Sequence, residues 1–316
     1  MLRRDFLKRS ALAAAGTCVA TTSQAGPVRQ GGEPMRIVDT HVHLWDLTRF
    51  RLPWIEKGSP FARSFGMKDY QTAIDGLNVV KGVYMEVDVD PKQLVEEADY
   101  VLDICRQGNT PLVAAVIGGR PADEGFRKYV LRFRGNRYLK GVRQVLHSTS
   151  AKQGFCLTPA FVQGVQLLGD AGLSFDLCMR PTEIADAVKL VAACPNTRFI
   201  LDHCGNGPVY AQDRRQWQRD MESLSRLTNV VCKVSGIIVQ ARERWTADDL
   251  APVINHTLTT FGPDRVMYAG DWPVCTRQAT YRQWVEALRA IVRARPAEEQ
   301  RKLFHDNAAR FYGLNM

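Results

Sequence analysis

Asp39, His41 and His43 stand two residues apart in "IVDTHVHLWD" (37–46), directly after two β-branched apolar residues. On an extended strand, residues two apart share a side. The imidazoles of His41 and His43 therefore rise together, about 7 Å apart along the backbone. Two converging neutral imidazoles can hold one divalent cation, and histidine is the side chain most used for that purpose. The pair alone is a weak signal. It gains weight from "YAGDWPV" (268–274) near the C-terminus, where Asp271 offers a carboxylate. A carboxylate beside imidazoles or a metal can take a proton from an attacking water. Arg143 in "KGVR" carries a forked cation suited to a carboxylate or a polarised carbonyl oxygen. Lys233 in "CKVSG" could do similar work as a point charge. For both, a plain ion pair below the site is the competing reading.

These residues need elements to hold them. Short apolar runs alternate with amphipathic stretches along the chain. The spacing predicts eight strands, over 36–42, 81–87, 111–118, 139–145, 173–179, 197–203, 229–235 and 265–271. Helical patterns lie between them. In one, Leu94, Val95, Ala98, Val101, Leu102 and Cys105 repeat with a 3.6-residue period and Gly108 follows. Eight strand-then-helix units with nearly continuous apolar strands describe a single parallel (β/α)8 barrel, with room for distortion. A doubly wound open sheet is the runner-up. It lacks the glycine-rich phosphate loop expected of it.

In such a barrel the active site lies at the C-terminal ends of the strands. Here His41 and His43 end the first strand, Glu86 and Asp88 the second, and Arg143 the fourth. Asp176 sits on the fifth, Asp202 and His203 end the sixth, Lys233 lies on the seventh and Asp271 ends the eighth. Buried charge is costly unless paired or ligated, so this many charged strand ends call for a site. His256 and His305 fall in helical contexts and are expected to be structural. His147, just past the fourth strand, reads equally as a substrate contact or as a satisfied core residue. Glu86 and Asp88 are expected either to bind substrate hydroxyls or to cap the next helix at Pro91. The aromatic and basic segment 49–65 is expected to cover the barrel mouth.

The N-terminus reads differently. "MLRRDFLKRSALAAAGTCVATTSQA" (1–25) has paired arginines, a modest apolar stretch over Ala11–Ala20 and a small-x-small ending, and "RRDFLK" resembles the twin-arginine export consensus. The expectation is export to the periplasm, with a Gly/Pro linker over 26–35 and the barrel over 36–316. The apolar stretch is too short and too rich in Ala and Gly to span a membrane. Cleavage after Ala25 would remove four bases and one acid, lowering the net charge of +9 to +6. The remaining bases are scattered, which argues against nucleic-acid binding. Seven of the eight cysteines lie beyond Cys18, unpaired in spacing, and are expected to be buried thiols.

Six motifs in order resemble one family. "DTHVHLWD", "KGVR", "ILDHCGNGP", "VVCKVSG", "GDWPV" and "HDNAARFYGL" are similar to those of the amidohydrolase superfamily, in the group of barrel hydrolases that includes L-fuconolactonase-like enzymes. The resemblance spans roughly residues 36–314. It implies that His41, His43, His203 and Asp271 form the catalytic cluster and are the candidate ligands of one divalent metal, zinc first among them. Metal-free catalysis stays open as the alternative. Many members of that superfamily carry a carboxylated lysine on strand four or a histidine ending strand five. This chain has Arg143 and Asp176 there, so a dinuclear centre is not expected. The reaction implied is hydrolysis of a sugar-acid or related lactone, with Asp271 as general base. Arg143, Lys233, Glu86, His147 and Trp272 are the candidate substrate contacts. The alternatives are an amide hydrolase or decarboxylase on the same barrel, and a non-catalytic sugar-acid binding protein using Arg143, Lys233, Trp45, Trp54 and Trp272. The expected partner is a small molecule, and self-association into a homo-oligomer is compatible with the sequence.

Overall fold

Runs such as "IVDTHV" and "LVAAVIG" have no polar face, so they are stable only where both sides of a strand are covered. A computed structural model, which describes residues 35–148 and 151–316, satisfies this with a sheet wrapped in helices. The strands are β1 (Ile37–Val42), β2 (Val79–Met85), β3 (Leu112–Gly118), β4 (Leu139–Val145), β5 (Ser174–Cys178), β6 (Arg198–Leu201), β7 (Val230–Val234) and β8 (Val266–Tyr268). They pair in parallel in sequence order. Each is followed by a helix: α1 (Met67–Ile74), α2 (Leu94–Gln107), α3 (Phe126–Arg132), α4 (Pro159–Asp170), α5 (Ile184–Ala193), α6 (Arg215–Ser225), α7 (Ala247–Phe261) and α8 (Tyr281–Val292). The architecture is the (β/α)8 barrel that the sequence predicts. The export and linker segments expected over 1–25 and 26–35 lie, up to residue 34, outside the described residues. Among the described residues no helix is long and apolar enough to cross a membrane. Cys105, Cys156, Cys178, Cys194, Cys204, Cys232 and Cys275 are all buried and free, as expected.

The barrel closes through a seam rather than a ladder. Between β8 and β1 the backbone bonds are Asp271 N–H to the His41 carbonyl (2.9 Å) and His43 N–H to the Trp272 carbonyl (2.8 Å). Below them, Asp39 fastens the same edge from inside. Its carboxylate accepts from the Gly270 N–H (2.7 Å), Tyr70 Oη (3.0 Å) and Tyr281 Oη (2.8 Å). Thr40 Oγ1 donates to the Tyr268 carbonyl at 2.7 Å. A Cβ on Gly270 would fall 2.5 Å from Asp39 Oδ2, so only glycine lets this carboxylate close the seam.

Two apolar layers hold the barrel. The larger fills the space between strands and helices. The smaller packs Val38, Val83, Met85, Ala114, Val116 and Met267 against Ala308 and Tyr312 of the C-terminal helix α10 (Asn307–Tyr312), after the short α9 (Ala297–Arg301). This helix plugs the N-terminal end and leaves polar groups to the other.

Three strands differ from their expected limits by two residues or more at an end. β2 runs two residues earlier and ends at Met85, so Glu86 and Asp88 lie just beyond it. β6 stops at Leu201 and β8 at Tyr268 because the chain leaves the sheet. His203 and Asp271 adopt positive φ angles, 57° and 54°, which end the strand geometry and turn these side chains out of the alternating pattern. Positive φ at a non-glycine residue costs energy and persists where neighbours enforce it, often at functional sites.

Candidate active site

The C-terminal end of the barrel gathers His41, His43 and Asp271 from the two sides of the seam. The Nε2 atoms of His41 and His43 are 3.2 Å apart. Asp271 Oδ1 lies 3.6 Å from the first and 3.4 Å from the second. His43 Nδ1 faces the Met85 carbonyl at 3.0 Å. A carbonyl only accepts, so this contact puts the His43 proton on Nδ1 and leaves Nε2 bare. Arg143 Nη1, a donor, lies 3.3 Å from His41 Nε2, which makes that nitrogen an acceptor too. Three lone-pair-bearing atoms thus converge, an arrangement that repels itself until a cation or proton enters. Burial drives His41 well below the ordinary histidine range, an effect that Asp202 opposes and Lys233 reinforces. A proton there is costly, and a divalent cation fits the donor set.

His203 completes a second triplet with His41 and Asp202. Its ring centroid is 4.7 Å from that of His41, and its Nδ1 meets Ser235 Oγ at 2.9 Å. Gly236, at φ +67°, makes room for it: a Cβ there would stand 2.3 Å from His203 Nδ1. Burial lowers His203 against the pull of Asp271 and Asp202. Burial alone would raise the Asp271 carboxyl, but positive charge resting on the imidazoles of His203, His43 and His41 outweighs it and holds it low, at about 2. Asp271 is therefore ionised throughout the neutral range.

Beneath this cluster runs a chain of buried charges. Arg143 donates from Nε to Glu86 Oε1 (2.6 Å), from Nη2 to the Glu86 carbonyl (2.8 Å) and from Nη1 to Asp202 Oδ2 (3.4 Å). Lys233 pairs with Asp176 Oδ2 (2.5 Å) and Asp202 Oδ1 (3.2 Å) and is fully buried. Asp202 Oδ1 in turn lies 3.5 Å from His41 Nδ1. Charges out of water are tolerated only in such compensated sets. Lys233 and Glu86 thus spend their charge inside the protein: Lys233 on Asp202, Glu86 on Arg143. Only Arg143 also presents a nitrogen to the histidines. Trp272 is buried, with its ring packed near Tyr70 (5.3 Å) and Phe65 (5.7 Å), and supplies its carbonyl to the seam. His147 is exposed on the segment after β4. The 49–65 segment does lie at this end: Trp54 Nε1 donates to the Val87 carbonyl at 2.7 Å, and its ring stands 5.6 Å from that of Trp45.

Two contributors carry little signal in the sequence. Asp202 is legible as a strand end, but its link between Lys233, Arg143 and His41 depends on three other strands. Ser235 carried no signal beyond its place after Lys233.

The family model for amidohydrolases matches residues 38–314. The chain belongs to the amidohydrolase family. This amidohydrolase is 28% identical over 299 residues to an uncharacterised protein of Sinorhizobium fredii, y4mH, with 87% of this chain and 98% of that protein covered. It is 26% identical over 290 residues to the L-fucono-1,5-lactonase of Burkholderia multivorans, covering 88% and 96%. A solved amidohydrolase structure from Burkholderia multivorans with bound zinc superposes with a TM-score of 0.79 at 25% identity, covering 89% of this chain and 100% of that one. The chain is accordingly an enzyme of the hydrolase class, similar to the fuconolactonase-like group, with a histidine and carboxylate set suited to a divalent metal.

Proposed function

We propose that this amidohydrolase hydrolyses a lactone of a sugar acid or a related cyclic ester. The observation that carries the reading is Asp271 Oδ1, ionised and within 3.6 Å of two imidazole Nε2 atoms at the barrel mouth. The similarity to a lactonase over nearly the whole of both chains supports the bond type. Asp271 takes a proton from water and passes it to the ring oxygen that leaves as the ester opens. Arg143 Nη1 donates to the oxygen on which negative charge develops, while Glu86 fixes its plane. Asp202, held by Lys233, orients His41, and Ser235 orients His203. His41, His43 and Asp271, with His203 alongside, would hold a divalent cation, zinc in our reading, which supplies polarisation of a carbonyl and acidification of water when bound.

The test is proton release by the purified protein against 1,5- and 1,4-lactones of deoxysugar acids and against dicarboxylate lactones, before and after chelation. Acid release that vanishes in Asp271→Asn supports the reading. Turnover of an anilide or release of carbon dioxide, with no lactone opened by the folded protein, would overturn it.

A further inference from the structure

The N-terminal end of the barrel, opposite the candidate active site, carries a groove of about 760 Å³. The α-to-β connections before β4 and β5, the first residue of β6 and the C-terminal helix form it. Arg127, Arg134, Arg137, Lys140, Arg198 and Arg310 line it, against one acid, Asp170. None of the six forms an ion pair among the described residues, although ion pairs are common elsewhere on the surface.

Two of the guanidiniums are nevertheless fixed. Arg198 donates to the Phe311 carbonyl (2.7 Å) and the Gly172 carbonyl (3.4 Å). Arg310 donates to the Asp264 carbonyl (2.6 Å) and to Asn307 Oδ1 (2.8 Å). Neutral acceptors hold them in place, and the Asp264 carboxylate near Arg310 is already paired with Lys302. Partial burial, then Arg198 and Arg137, press the Lys140 ammonium below its ordinary range. Residues at this end of a barrel ordinarily serve stability, and like charges crowded together do the reverse. A multiply charged oxyanion would relieve the crowding, and arginine forks match phosphate oxygens in pairs.

We propose that this groove binds a small anion carrying two or more phosphate groups, at a site separate from the chemistry. The anion could reach it free in solution or as a lipid headgroup, and the experiment separates these sources. Calorimetric titration of the full protein with tripolyphosphate at low salt is expected to show saturable one-to-one binding that weakens as salt rises. R127E/R134E, whose parent side chains make no hydrogen bond among the described residues, and R137E/R198E are each expected to weaken binding about tenfold or more, the scale of one lost charge-assisted contact. K57E/K68E alters two exposed lysines outside the groove by the same net charge and is expected to leave it nearly unchanged. Since Arg198 also anchors the C-terminal segment, R127E/R134E keeps the test valid should R137E/R198E fail to fold. No binding, or equal weakening in K57E/K68E, overturns the proposal. So does binding to phosphatidylglycerol vesicles without binding to tripolyphosphate, which would mark a membrane-facing surface instead. Lactone opening by both groove variants at the parent rate is expected and keeps this result independent of the reaction assigned to the other end.

Discussion

At the scale of single residues, the site depends on which atoms keep their lone pairs. Asp271→Asn keeps the shape but removes the charge that receives the proton. The expected result is a loss of lactone turnover of about 10²- to 10⁴-fold with an unchanged circular dichroism spectrum. Retention of more than a tenth of the activity would remove Asp271 from its assigned role. Arg143→Lys keeps the charge but cannot satisfy Glu86 Oε1 and the Glu86 carbonyl in one plane while facing His41. Turnover is expected to fall about a hundredfold, with a smaller change in KM, measured by steady-state kinetics on the best lactone. The histidine pair and Asp271 were legible in the sequence because imidazoles and carboxylates ending apolar strands are anomalous unless something engages them. Asp202 and Ser235 were not, because their importance comes from neighbours on other strands.

At the scale of elements, the strands were legible as apolar runs and their ends were not. β4 matches its expected limits, since nothing interrupts Leu139–Val145. β6 and β8 end early because His203 and Asp271 take positive φ, a choice that residue type does not announce. The β7-to-α7 turn then becomes critical. Gly236→Ala would press a methyl into the His203 ring at a backbone angle disfavoured for L residues, at a cost of about 1–2 kcal/mol for the angle alone. Turnover is expected to fall about tenfold or more while the protein still melts cooperatively by calorimetry. An active Gly236→Ala with unaltered KM and kcat would show that His203 tolerates displacement. The aromatic segment 49–65 illustrates the reverse case. Its aromatics forecast a packed cover, and Trp54 with Trp45 supplies one, but sequence alone could not say which carbonyl Trp54 would bind.

At the scale of the whole molecule, burial of carboxyl groups links stability to pH. Glu97 accepts from Tyr84 Oη (3.0 Å) and Val87 N–H (2.8 Å), and burial, then Glu86, raise it to about 8 from an ordinary 4.5. The native state therefore holds a proton that the unfolded chain has released. The stability this confers is complete below about 4.5 and is lost as pH rises through about 8. Glu97→Gln, which stays neutral, is expected to gain stability relative to the parent as pH rises from 5 to 8, measured by urea unfolding at each pH. A constant difference across that range would mean that Glu97 is ionised in the native protein. Chelation followed by dialysis is expected to lower both activity and Tm, and added zinc to restore both, by the ordinary linkage of a ligand that binds only the native state.

The seam gives the molecule a weak line that runs through its working parts. The two backbone bonds that close the ring of strands belong to Asp271 and His43, the residues whose side chains do the chemistry. Opening that edge needs these contacts, the Asp39 fastening and the Thr40–Tyr268 bond to yield, while seven ladders stay intact. In rising urea the enzyme should therefore fall silent before its helices melt, and the amides of His43 and Asp271 should exchange with solvent deuterium sooner than their neighbours in β4 and β5.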